Sequence, residues 1–182
     1  MGYFPLCVDL KDRTVLLAGS GPRIREKIGK LTPFGGVLRR VEPLRREDLT
    51  PEVALVVAGD LPRAEAERIS RLCVSCRVPV NVVDEPDLCT VFFPALVTAG
   101  ELTVSVSTGG ACPGAAGYLA DMIRRQLPSD TEQILDWLQA VRRTLRAALP
   151  RDRVPDALRR VTAEAFSRGR ILSDAEVEAL IR

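Results

Sequence analysis

Val15-Leu16-Leu17-Ala18-Gly19-Ser20-Gly21-Pro22-Arg23-Ile24 is the stretch that decides the fold. Its first four residues are continuously apolar, the mark of a strand buried on both faces of a parallel sheet. A glycine turn follows, and then Pro22, a residue suited to the first turn of a helix because its missing N–H is not needed there. A helical stretch runs from Pro22 to about Thr32. A Gly-x-Gly turn between a buried strand and a helix suits a dinucleotide site. The first glycine allows the tight turn, the second lets backbone approach a pyrophosphate, and the helix start offers donors and positive potential. The third position of the fingerprint is Ile24, not Gly or Ala, so the helix is expected to stand slightly off the strand.

Working outward, Gly35-Gly36 closes this first unit and Val37 to Val41 reads as a second strand. Val53 to Ala58 is a third, Leu61 to Cys76 a helix, and Val78 to Val83 a fourth strand. Val91 to Phe93 and Leu102 to Val106 read as further strands, with Ala99-Gly100 as a turn signal between them. From Cys112 onward the pattern is helical. Pro113 sits at a helix start, and Leu119, Met122, Ile123 and Leu127 form an apolar stripe. Ser129 to Glu132 and Ser173 to Glu176 are capping-box patterns. The expected architecture is an α/β, Rossmann-like parallel sheet over residues 1–111, followed by a helical region over residues 112–182. So much apolar helix face must cover either its own sheet or a second subunit.

Composition narrows the functions open to such a fold. The chain has 182 residues, 46% hydrophobic and 27% charged, which is ordinary globular composition. Lys plus Arg number 26 against 24 Asp plus Glu, a net charge of +2, which argues against a general nucleic-acid binder. Aromatic residues make up only 4%, too few for base-stacking platforms. The absence of histidine excludes Ser-His-Asp and Cys-His catalysis and HExxH zinc sites, and no metal site is expected. No Walker A pattern is present. Five cysteines, an odd number, and a start without signal-peptide character point to a reducing, cytoplasmic setting. No run of 18 apolar residues suggests a membrane span. Cys73-Val-Ser-Cys76 has redox spacing but no second pair, and reads more readily as two small helical residues.

The candidate site residues follow from position. Glu42, 23 residues after Gly19 at the end of the second strand, can accept hydrogen bonds from a ribose, or be a plain loop carboxylate. Asn81-Val82-Val83-Asp84 ends the fourth strand with a carboxylate on the carboxyl edge of the sheet, where open α/β folds bind ligands. In a chain without histidine, Asp84 is the best general acid or base on offer, although a turn-forming role would produce the same sequence. Ser107 to Pro113 is either an amide-rich loop for an anionic group or a hinge. Arg124, Arg125, Arg142, Arg143 and Arg146 are carboxylate clamps or a solvated rim.

Together these pieces resemble the sirohaem-synthase N-terminal family, the NAD-dependent precorrin-2 dehydrogenases, some of which also act as sirohydrochlorin ferrochelatases. The resemblance rests on Phe4 to Leu10, Gly19-Ser20-Gly21 with Lys27, Gly35-Gly36, Asn81 to Asp84, Phe93-Pro94-Ala95, and Val104 to Gly110 followed by Pro113, all in order over residues 4–128. It implies oxidation of precorrin-2 to sirohydrochlorin with NAD as cofactor, and Asp84 as the catalytic residue. It places cofactor contacts at Gly19, Ser20, Gly21, Pro22 and Arg23 and, with Glu42, at Pro43 and Leu44. It puts Thr108, Gly109 and Gly110 on the substrate side. A tetrapyrrole substrate, ferrous iron as the substrate of a second activity, and a homodimer built on the helical region are implied as well. Three departures stand out: Ile24 where the family usually has alanine, Pro22-Arg23, which stiffens and charges the turn, and Ala58-Gly59-Asp60-Leu61 where it more often carries a threonine and paired acids. Two other readings remain: a ferrochelatase without redox chemistry, and a non-catalytic dimeric carrier of tetrapyrrole or nucleotide.

Overall fold

The computed structural model describes residues 3–182, which divide into two compact units, Phe4–Phe93 and Pro94–Arg182. The first unit is a four-stranded parallel sheet made of β1 (Thr14–Ala18), β2 (Val37–Val41), β3 (Val53–Ala58) and β4 (Val80–Val82), in the order β2-β1-β3-β4. Helix α1 (Pro22–Leu31) links β1 to β2, and α2 (Arg63–Ser75) links β3 to β4. The β2-to-β3 connection carries only a single 3-10 turn, Arg46–Asp48.

Strand alternation decides which helix covers which face. Val15 and Leu17 of β1 and Val57 of β3 pack with Ile24 and Leu31 of α1. Leu16, Ala18, Val56 and Ala58 turn the other way, onto Ala66, Ile69 and Cys73 of α2. Both faces are therefore covered, which is why β1 reads as an unbroken apolar run. Cys73 belongs to this core, and burial pushes its thiol up to about 12. All five cysteines are free, and Cys73 and Cys76 are ordinary residues of the α2 end.

The second unit opens with an antiparallel hairpin, β5 (Ala95–Ala99) and β6 (Leu102–Val106). Helices α3 (Pro113–Gln126), α4 (Thr131–Ala148), α5 (Val154–Arg168) and α6 (Asp174–Ile181) follow. Helix α3 packs on the hairpin. Ile134, Leu138, Val141 and Leu145 of α4 bury against Val154, Ala157, Val161 and Ala165 of α5, with Leu172 beyond. The hairpin thus shares its packing with helices, whereas the sequence division at residue 111 groups it with the parallel sheet.

Two local expectations are corrected. Val91 to Phe93 is not a strand: the Asn81 side chain donates to the Val91 carbonyl at 2.9 Å, fixing this segment as a coil beside β4. Strand β5 begins only after Pro94. The box expected at Ser129 does not form either. Helix α4 is entered through Asp130 without a side-chain cap, and the buried Thr131 turns its hydroxyl back to donate to the Pro128 carbonyl at 2.7 Å. The box at Ser173 and Glu176 does form.

Candidate functional site

The carboxyl edge of the parallel sheet is built by three turns. At the first, Gly19 takes φ +102°, and a Cβ there would stand 2.0 Å from the Gly59 carbonyl oxygen, so no other residue fits. Gly21 lies at the entry to α1, with Pro22 as the first helical residue. Pro22 has no N–H, and Arg25 N–H donates to the Gly21 carbonyl, so Arg23 and Ile24 carry the outward amides of this helix start.

Both amides are engaged. The Asp60 carboxylate, from the turn after β3, accepts from Arg23 N–H at 3.1 Å and from Ile24 N–H at 3.3 Å through the same oxygen, Oδ2. Asp60 has φ +57° and Asp84 φ +64°, so two aspartates at the ends of β3 and β4 sit in the left-handed region that non-glycine residues seldom enter. Such outliers concentrate at functional sites.

Asp84 is exposed and pairs with Arg23, Nε to Oδ2 at 3.0 Å. The structure thus brings together two of the sequence candidates, Arg23 of the glycine turn and Asp84 of the strand end. The neighbouring acids Glu85 and Asp87 are gathered by Arg63 of α2, which also holds Glu67 at 2.9 Å. Their hydrogen bonds raise Arg63, with Asp87 the largest contributor, and lower Asp87 and Glu67 below the carboxylate range. Lys27 of α1 stands over the Phe93 ring, 5.2 Å from its centroid. Burial, then Lys30, push its ammonium down, while Glu26, Asp84 and Cys89 act the other way.

A cleft of about 200 Å³ at this edge is lined by Arg23, Gly59, Asp60, Leu61, Val82 and Glu85. A larger one, about 450 Å³, opens at the amino ends of β3 and β4 beside Arg13, Pro51, Val53 and Pro79. Parallel sheets bind ligands at the carboxyl edge, so the smaller cleft is the candidate.

The remaining candidates of the first unit lie just beyond β2. Glu42 and Pro43, joined by a cis peptide, are exposed beyond β2, whereas the Leu44 side chain is core and its carbonyl accepts from Arg68 at 2.8 Å. Thr108, Gly109 and Gly110 belong to the second unit. The Thr108 hydroxyl accepts from Cys112 N–H at 3.1 Å and donates to its carbonyl at 3.0 Å, closing the loop that leads into α3. Gly109 and Gly110, at φ +63° and +86°, have open space where a Cβ would stand. Of the five candidate arginines, Arg124 pairs with Asp121 and donates to the Leu96 carbonyl. Among the described residues no three His, Cys, Asp or Glu come together as a metal site, and no helix is long and apolar enough to cross a membrane. Sequence reasoning did not single out Asp60. Its signal was an acid directly after a β3 that faces the glycine turn, legible only once the order β1-β3 is known.

A parallel, doubly covered sheet with a glycine turn feeding a helix start defines a dinucleotide-binding α/β protein of Rossmann type. Residues 6–95 match the family described as "Putative NAD(P)-binding". The chain is 34% identical over 203 residues to the siroheme synthase of Azotobacter vinelandii, an alignment covering 98% of this chain and 43% of that protein. It is 35% identical over 150 residues to the siroheme synthase of Pseudomonas putida, covering 71% and 32%. The chain thus spans less than half the length of these curated relatives. Among solved structures, "SirC, precorrin-2 dehydrogenase" shares the fold with a TM-score of 0.70 at 17% identity, over 98% of this chain and 97% of that one. This chain belongs to the sirohaem-synthase N-terminal family.

Proposed function

We propose that the chain is an NAD-dependent precorrin-2 dehydrogenase, oxidising precorrin-2 to sirohydrochlorin. The observation that carries the reading is the ion pair between Arg23 of the glycine turn and Asp84 at the end of β4. It joins a helix start fit for a pyrophosphate to the one carboxylate that the family resemblance makes catalytic. Residues 1–111 would serve the cofactor and 112–182 the substrate side and dimerisation.

The residues present suit a dinucleotide. Gly19 and Gly21 let the turn lie close against the end of β3, and the α1 start carries the Arg23 and Ile24 amides, held here by Asp60, as donors. Gly19, Ser20, Gly21, Pro22 and Arg23 would hold the pyrophosphate, and Glu42, Pro43 and the Leu44 backbone the adenosine end. When bound, NAD supplies the acceptor for the hydride that leaves the macrocycle. Asp84 takes the proton that leaves with it, and Arg23 holds the Asp84 carboxylate by their ion pair. Thr108, Gly109 and Gly110 lie on the substrate side, where the loop backbone can meet the carboxylates of the tetrapyrrole. Iron insertion into sirohydrochlorin, with ferrous iron as a substrate, is a second activity of the same edge. A cytoplasmic homodimer completes the reading, supported by the exposed Tyr118, Leu119 and Met122 on α3.

The test is anaerobic incubation with precorrin-2 and NAD, following the visible spectrum. Sirohydrochlorin and NADH should appear in equal amounts. Silence at saturating NAD would contradict the reading, and saturable ligand binding without turnover would move the protein to the carrier class.

A further inference from the structure

The helix start that should receive a phosphate already holds an anion. Asp60 Oδ2 accepts from both outward amides of α1, at 3.1 and 3.3 Å. A second observation points the same way. A Cβ on Gly21 would stand 2.1 Å from the Asp60 Cγ and 2.3 Å from its Oδ2, so the space the second glycine keeps clear is filled by this carboxylate. Asp60 reaches it from the left-handed region at φ +57° and is exposed, free to swing into solvent.

The geometry points to Asp60 as an internal competitor for the cofactor's pyrophosphate, a residue that sets cofactor affinity from within the binding turn; this rests on the NAD-binding reading above. Two anions cannot share two amides. A phosphate oxygen that takes the Arg23 and Ile24 donors must first displace the carboxylate, and it then meets a negative charge beside it instead of open water. Binding of the pyrophosphate and release of Asp60 are therefore one event, and the unliganded turn keeps its helix dipole satisfied without ligand. The adenosine end makes no demand on these amides, so the penalty falls on the phosphates alone.

Two variants separate the charge from the cap. Asp60→Asn keeps an oxygen acceptor and tolerates the left-handed backbone, while Asp60→Gly removes the side chain at a φ that suits glycine. NAD, ADP and adenosine are titrated calorimetrically into the full chain and both variants, with thermal unfolding alongside to verify folding. NAD and ADP should bind about tenfold more tightly to Asp60→Gly, which removes both charge and acceptor, and by a smaller factor more tightly to Asp60→Asn, which removes the charge alone, with adenosine unchanged. Wild-type binding of NAD with equal or weaker binding by the variants would overturn the role of Asp60 and leave the NAD reading standing, as would equal tightening of ADP and adenosine. No binding of NAD or ADP by any of the three folded proteins would overturn both.

Discussion

Ile24 and Gly59 face one another where the start of α1 meets the end of β3. Ile24 is fully buried with Val15, Leu17, Leu31 and Val57. A Cβ on Gly59 would stand in ordinary contact with Ile24 Cδ1 at 3.5 Å and in tight contact with Val83 at 3.1 Å, so the branched atoms of a threonine would crowd both side chains. The larger residue on the helix is matched by the smaller one on the strand end. Ile24→Ala alone is expected to lower stability by about 2–5 kcal/mol through the cavity it leaves. Gly59→Thr alone should cost about 1–3 kcal/mol by overpacking. The double variant should lose less than the sum, with a coupling of about 0.5–3 kcal/mol in urea denaturation; strict additivity would contradict the pairing. Gly19→Ala has no such rescue, because its obstacle is the Gly59 backbone. Expression without a folded product, or a loss of more than about 2 kcal/mol, is expected there.

At the scale of elements, the signals that held are those with no competitor nearby. At α6, Ser173 Oγ accepts from Glu176 N–H at 3.4 Å and Glu176 Oε2 accepts from Ser173 N–H at 2.7 Å. Arg170 and Arg168 add pairs at 2.8 and 2.6 Å. The Arg170 guanidinium first, then the Ser173 backbone and hydroxyl, hold the Glu176 carboxyl down at about 2. Because the folded value is depressed, this contribution is complete above the ordinary carboxylate value of about 4.3. It is lost as pH falls through about 2. Protection of the Val177 amide relative to its intrinsic exchange rate should therefore fall below about pH 4 in the native chain, and Glu176→Gln should show the lower protection already at neutral pH without that dependence. The Ser129 pattern failed because the Ser129 hydroxyl donates to the Asp130 carboxylate at 3.0 Å and the helix begins one residue later, at Thr131, a choice that one side chain's rotation decides and a pattern cannot reveal.

The whole molecule was legible in proportion to how local its determinants are. The continuous run Val15 to Ala18 and the glycine turn announced a central parallel strand with a tight turn into a helix at its carboxyl end, and both are present. The pairing of β5 with β6 away from the parallel sheet was not legible, because it depends on which apolar face α3 covers. In the site, Gly19, Gly21 and Asp84 could be named from their places at strand ends, and Arg23 from the family resemblance. Asp60 could not, since its contact with the α1 amides joins residues 36 and 37 apart in the chain through the order of strands. At this scale the exposed α3 face carries its own consequence: Met122→Glu should turn a dimer into a monomer in sedimentation velocity without loss of helix content, and a wild-type chain that sediments as a monomer would contradict the homodimer. The central claim is that Asp84 moves a proton at a cofactor edge built by the glycine turn. It is tested most directly by comparing wild type and Asp84→Asn for precorrin-2 turnover with NAD, with NAD affinity measured on the same samples. The expected result is a fall in turnover of about 10²–10⁴-fold with cofactor affinity within a factor of about three. Unchanged turnover in Asp84→Asn would contradict the assignment.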